Sequence, residues 1–158
     1  METLKLEKST ALRIFKKASD EIKEILKETF GPKTFSENIL DRINSFEDVL
    51  SEASKEDLAH YHRKINQNDT TPDEIAYQQL KLICNVAWEG IKVDYTNTNQ
   101  KKWYPWFRKL SSGLGFGVSF CVYDYAGTAV GSRLCFPSKE SSDKFSQLFI
   151  DIYNKWLF

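Results

Sequence analysis

At 158 residues, with 41% hydrophobic and 28% charged content, the chain reads as an ordinary soluble globular protein of one domain or two small units. Its formal net charge is zero, which argues against a backbone-dominated nucleic-acid binder, although the uneven spread permits a nucleic acid on the C-terminal half. Residues 1–100 hold 14 Lys+Arg against 18 Asp+Glu, a net of −4, and residues 101–158 hold 8 against 4, a net of +4. No segment approaches the roughly 20 apolar residues of a membrane span, nor does the N-terminus resemble a signal peptide. Cys84, Cys121 and Cys135 lack metal-ligand spacing, so reduced thiols and a cytoplasmic setting are expected.

In chain order, residues 1–8 are polar. Ser9 can cap a helix through Phe15, and Ser19 restarts a second, with Asp20 and Glu21 at its positive end and Ile22, Ile25 and Leu26 as its apolar stripe. Gly31-Pro32 stops it. Ser36 opens a third short helix, with Ile39, Leu40 and Ile43 inward. Ser45 caps a fourth, with Phe46, Val49 and Leu50 at the same spacing and Asp48 three residues after the cap. A polar helix from Ser54 to about Ile65 comes next. The loop from Asn66 to Thr70 is the expected boundary between a helical subdomain, 1–66, and an α+β subdomain, 71–158.

Thr71-Pro72-Asp73-Glu74 is a strong helix start, with Thr as cap, Pro at the first position and acids in the first turn. The helix should run to Glu89. Its apolar cover (Ile75, Ala76, Leu80, Leu82, Ile83, Val86 and Ala87) is broad enough for packing on two sides, bridging the N-terminal helices and the sheet. Val93 to Tyr95 is a short extended piece, and Lys102 to Phe107 reads as an edge strand because Pro105 cannot donate to a ladder.

Leu114 to Phe136 reads as one β-hairpin turning at Ala126-Gly127-Thr128. Strict alternation, with Tyr125 opposite Ala129, puts Leu114, Phe116, Val118, Phe120, Val122, Val130, Leu134 and Phe136 on a core face. Gly115, Gly117, Ser119, Cys121, Tyr123, Tyr125, Gly131, Arg133 and Cys135 are left on the other. Ser138 caps a last helix, in which Phe145, Leu148, Phe149, Ile152 and Trp156 would cover the core face. The expected architecture is α+β: short N-terminal helices, a long helix, an antiparallel meander of about three strands, and a C-terminal helix on one sheet face.

Several of these segments carry a resemblance. The run Ala76-Tyr77 through Leu80-Lys81-Leu82-Ile83, Trp88-Glu89-Gly90, Asn97 to Gln100 leading into Trp103-Tyr104-Pro105-Trp106-Phe107, and Val130 to Phe136 with Ile150-Asp151-Ile152-Tyr153 are its residues. Across 20–157 they resemble a group of small uncharacterised proteins of phages and prophages of Bacteroidales-type gut bacteria. The resemblance implies a phage-associated role inside a bacterial host. It implies no catalytic residue.

The candidate binding residues are Lys101, Lys102, Trp103, Tyr104 and Trp106 on the strand, and Tyr123, Tyr125 and Arg133 on the free hairpin face. Cations beside aromatics suit single-stranded nucleic acid, where charge holds phosphates and rings stack bases. Aromatics and Arg are equally what protein interfaces prefer at their centres. Balanced charge favours a host or phage protein as partner, with Lys101 and Lys102 at the rim. The competing expectations are a nucleic-acid accessory, a phage assembly component identified by its oligomeric state, and a small hydrolase or nuclease. The last would need Asp94, Asp124 and Arg133 brought together. His60 and His62, at i and i+2 on a helix, point apart and cannot share a metal. No cofactor is expected: phosphate loop, nucleophile elbow and dinucleotide fingerprint are absent, and Gly113 to Gly117 enters a strand rather than a helix.

Overall fold

The computed structural model describes residues 6–111, 115–124 and 133–157, and the side chains of Phe116 and Asp124 lie outside that description. The chain is α+β and forms two compact units, Met1–Glu52 and Ala53–Phe158. The division falls earlier than the expected 66–71 loop.

The first unit is a set of short helices: α1 (Lys8–Phe15), α2 (Asp20–Phe30), a 3₁₀ turn (Pro32–Phe35), α3 (Ile39–Arg42) and α4 (Phe46–Glu52). Ala11, Leu26, Ile39, Ile43 and Val49 are its buried apolar residues. Phe35 stacks on Phe15 with ring centroids 4.2 Å apart and meets Phe30 edge-on. The Ser45 signal forms as a reciprocal cap. The Ser45 hydroxyl accepts from the Asp48 N–H at 3.2 Å, and the Asp48 carboxylate accepts from the Ser45 N–H at 3.0 Å. Lys8 of α1 pairs with the same carboxylate, tying α1 to α4.

In the second unit, α5 (Lys55–Ile65) packs against α6 (Pro72–Ala87). Tyr61 is buried and Asn85 donates to Asp57 at 2.9 Å, which is why α5 groups with α6 rather than with the earlier helices. The Glu74 carboxylate accepts from the Thr71 N–H at 2.9 Å, as the start signal predicts. The two-sided packing of α6 is real, but both neighbours are helices, α5 and α8 (Ile150–Leu157), rather than the sheet.

The sheet differs from the expected hairpin. β1 (Lys102–Lys109) pairs antiparallel with β2 (Phe116–Asp124), so the hairpin is the one closed before residue 116. Residues 125–132, and with them the expected Tyr125–Ala129 turn, lie outside the described residues. Phe136 pairs not with β2 but with β1, exchanging both backbone hydrogen bonds with Trp103 at 3.0 and 2.7 Å. β1 therefore has a neighbour on both sides. Backbone groups alternate direction along a strand, so Pro105, two residues on, faces the side where Phe136 makes only a single bridge, and its missing N–H interrupts no ladder.

A bulge decides the faces. Trp106 pairs with Phe120, but Phe107 pairs with Val118, leaving Ser119 unmatched. The inner face thus carries Trp103, Pro105 and Phe107 on β1, and Tyr123, Cys121 and Val118 on β2. The outer face carries Tyr104, Trp106 and Arg108 opposite Val122, Phe120 and Gly117. The expected uniform parity of β2 fails here: Cys121 is buried and Phe120 is exposed.

α7 (Lys139–Leu148) lies on the inner face. Ser138 caps it, accepting from the Ser141 N–H at 3.1 Å. Ser142 and Ser146 are fully buried; such small side chains let the helix sit close to the sheet, where the Ser142 hydroxyl meets Cys121 Sγ at 3.1 Å. The expected single C-terminal helix breaks at Phe149. The break turns Tyr153 inward against Phe107, ring centroids 4.7 Å apart, and leaves Leu148 and Trp156 partly exposed. Phe136, Phe145, Phe149 and Tyr153 are buried, each worth about 1.5–3 kcal/mol.

Candidate functional site

Trp106 and Phe120 occupy the centre of the outer face. They are directly opposite across the strands, with rings nearly parallel at 11° and centroids 6.0 Å apart. Trp106 is 53% exposed and Phe120 45%. A cross-strand aromatic pair of this kind stabilises the ladder by about 0.2–1 kcal/mol, so pairing alone does not repay leaving two large rings in water.

The turn extends the apolar surface. Leu110 donates its N–H to the Gly115 carbonyl at 3.1 Å, and Gly115 has φ of 80°, a left-handed conformation that suits glycine. Leu110 then folds back over Gly117, where an added Cβ would stand 3.0 Å from Leu110 Cδ2. Leu110, like the ring pair, remains exposed. Arg108 shares this face and Lys109 is next along the strand. Both are exposed, and neither forms an ion pair among the described residues.

The residues expected to form one binding surface are distributed over several places. Tyr104 and Trp106 are on the outer face. Trp103 and Tyr123 lie on the inner face, rings 4.6 Å apart, with the Lys101 ammonium 4.7 Å from the Tyr123 ring centre. Arg133 sits over Tyr95 at 5.8 Å. Tyr125 lies outside the described residues. Lys102, expected at the rim, has no exposed surface: its ammonium donates to the carbonyls of Gln100 at 2.9 Å and Asn97 at 3.2 Å. It braces the loop ahead of β1.

Phe120, Val122, Leu110 and Arg108 complete the outer face and are absent from the expected binding residues. Parity assigns Phe120 and Val122 to the core, and a bulge leaves no mark in hydrophobic alternation. The available signal is the short connection between 109 and 116, which places Trp106 opposite the middle of β2.

All three thiols are free and buried. Burial pushes Cys84 well above its ordinary pKa and Cys121 up to about 11. The Asp94 carboxylate is turned into its own loop, accepting from the Thr96 hydroxyl at 2.7 Å and N–H at 2.8 Å, which hold its pKa low. Among the described residues no three metal-ligating side chains converge.

A groove of about 570 Å³ runs between α5 and α6, lined by His60, Tyr61, Arg63, Gln78, Lys81 and Asn85 among others. His60, expected on the surface, is half-buried. Arg63 Nη2 lies 3.2 Å from its Nδ1. A guanidinium only donates, so Nδ1 accepts and neutral His60 carries its proton on Nε2. Burial, then the charges of Lys81, Arg63 and Lys64, hold its pKa below the usual value.

No helix among the described residues is long and apolar enough to cross a membrane. Comparison of the chain with protein-family models, with curated proteins and with solved structures finds no match.

Proposed function

We propose that this chain is a non-enzymatic protein-binding module whose docking surface is the outer face of the β1–β2 sheet. The observation that carries the reading is the exposed Trp106–Phe120 pair, extended by Leu110 and edged by Arg108. Large aromatics with an adjacent Arg are the side chains that dominate binding energy at protein interfaces. A phage-associated setting in the cytoplasm of a bacterial host, with a host or phage protein as partner, belongs to the same proposal and rests on the family resemblance.

Single-stranded nucleic acid is the second reading, favoured by cations beside rings. Against it stand the zero net charge and a pI of about 6.7, since backbone-dominated binding needs many phosphate-neutralising cations.

The test compares the wild-type chain with a Trp106→Ser/Phe120→Ser variant as baits in host lysate. A protein captured by the first and lost by the second is the expected result; identical capture by both removes the outer face from the function. Oligonucleotide binding is titrated in parallel. Affinity that falls about 10³-fold or more between 50 and 200 mM salt would favour the nucleic-acid reading instead.

A further inference from the structure

The described lining of the groove between α5 and α6 comes from those two helices, and its volume of about 570 Å³ is that of small-molecule sites rather than of a lone ion. Arg63 lines it from α5 and Lys81 from α6, while Lys64 borders an adjoining hollow that shares Gln78. The Lys81 ammonium lies 5.9 Å from the centre of the Tyr77 ring, and none of the three cations forms an ion pair among the described residues. The two carboxylates on the groove do not neutralise them. Asp57 is taken up at the start of α5, accepting from the Ser54 hydroxyl at 2.7 Å and from the Asn85 amide at 2.9 Å. Glu56 stands two turns, about 10 Å, before Arg63.

Two polar atoms beside these cations are buried with no partner among the described residues: Nε2 of His60 and Oε1 of Gln78, which do not bond each other. Arg63 donates to His60 Nδ1, so Nε2 carries the proton and is a donor lacking an acceptor. Gln78, three residues before Lys81, shares its helix face and offers an acceptor lacking a donor. A buried donor left unpaired and like charges gathered without a counter-ion are both unfavourable, and one kind of ligand answers both.

We propose that the α5–α6 groove binds a small organic molecule through an oxyanion head group, phosphate or carboxylate, held between Arg63 and Lys81. Rotation of the half-buried His60 ring turns its Nε2–H toward a head-group oxygen and releases Arg63 to the same anion, while Gln78 Oε1 accepts from a hydroxyl of the ligand. The site is independent of the docking surface on the sheet. Beyond burial, the charges that bear on His60 are Lys81 from α6 and Arg63, Lys64 and Asp57 from its own helix. The cations oppose its protonation. An oxyanion seated among them offsets that opposition, so ligand and proton bind cooperatively and affinity rises as His60 becomes protonated.

The test follows the ring protons of the two histidines by NMR between about pH 5 and 8 in the full chain. Sulfate is the first probe, because its charge is constant over that range, against chloride at equal ionic strength. Sulfate should raise the His60 midpoint by about 0.5 or more, a grip on the protonated form about threefold tighter, and leave exposed His62 unmoved. The response should saturate, with half the effect by about 10 mM. Acetate separates the two sources: a response about tenfold more sensitive to sulfate marks a phosphate head group, and the reverse a carboxylate. Arg63→Gln/Lys81→Gln, its fold checked by circular dichroism, should raise the His60 midpoint without any added anion and abolish the response to both. Two results overturn the inference: a His60 midpoint that moves no more than that of His62 with either anion, which wild type alone decides, or a response that survives loss of both cations.

Discussion

Lys102 carries a formal charge and has no exposed surface, while Lys101 beside it is exposed with its ammonium over the Tyr123 ring. The difference is one of direction, since neighbours on an extended chain point opposite ways. Lys102→Met would keep the aliphatic stem and remove the donors that the Asn97 and Gln100 carbonyls use. A loss of about 1–3 kcal/mol in urea unfolding is expected, against less than about 0.5 for Lys101→Met. Equal effects would mean the buried ammonium contributes nothing. Asp48 gives a pH dependence. Burial opposes its charge, but hydrogen bonds from Lys8, Asn44 and Ser45 outweigh burial and hold its pKa below the ordinary carboxylate value. The contribution is fully present above the unfolded pKa of about 3.9 and is lost as pH falls through the lower, folded value. An Asp48→Asn variant should therefore be less stable than wild type at neutral pH. The gap should close as pH falls below about 4, and a gap independent of pH would exclude the linkage.

At the scale of elements, the unmatched Ser119 governs the sheet. Val118 and Phe120 point to opposite faces although both are even-numbered, because one extra residue stands between them. Deleting Ser119 would leave the pairs Phe107–Val118 and Trp106–Phe120 in register and adjacent. Deleting Val118 instead removes the partner of Phe107, whose ring packs on Tyr153. The expected outcome is a melting temperature several degrees lower for the Val118 deletion than for the Ser119 deletion, a gap of about 1 kcal/mol or more. The reverse order would show that the bulge, rather than the pairing around it, holds the strand. The helices behave differently. Ser45 with Asp48, Ser54 with Asp57, Thr71 with Glu74 and Ser138 with Ser141 all form the caps that the amino-acid order announces, since each joins atoms only three residues apart.

For the whole molecule, the division between Glu52 and Ala53 predicts that residues 53–158 fold without the first 52. The segment contains α5 to α8 and the sheet, with the buried residues Tyr61, Leu80, Ile83, Phe136, Phe145 and Tyr153. Expressed alone it should unfold in one cooperative transition; a broad, non-cooperative melt would mean that the first unit completes its core.

Sequence by itself determined the helix starts at Ser45, Ser54, Thr71 and Ser138, the breadth of the α6 face and the α+β class; it misplaced two others, since α1 already begins at Lys8 with Glu7 rather than Ser9 at the cap, and Asn38 rather than Ser36 caps α3. What it determined depends on residues within a few positions of one another, where caps, periodicity and turn chemistry act. Only the tertiary structure decided that β1 stands between β2 and Phe136, that Phe120 rather than Cys121 faces outward, and that Lys102 is interior. Strand partners are chosen among segments distant in the chain, by which pairing buries most and leaves fewest backbone groups unmatched. A single bulged residue then reverses the faces beyond it without changing the composition or the alternation that sequence displays.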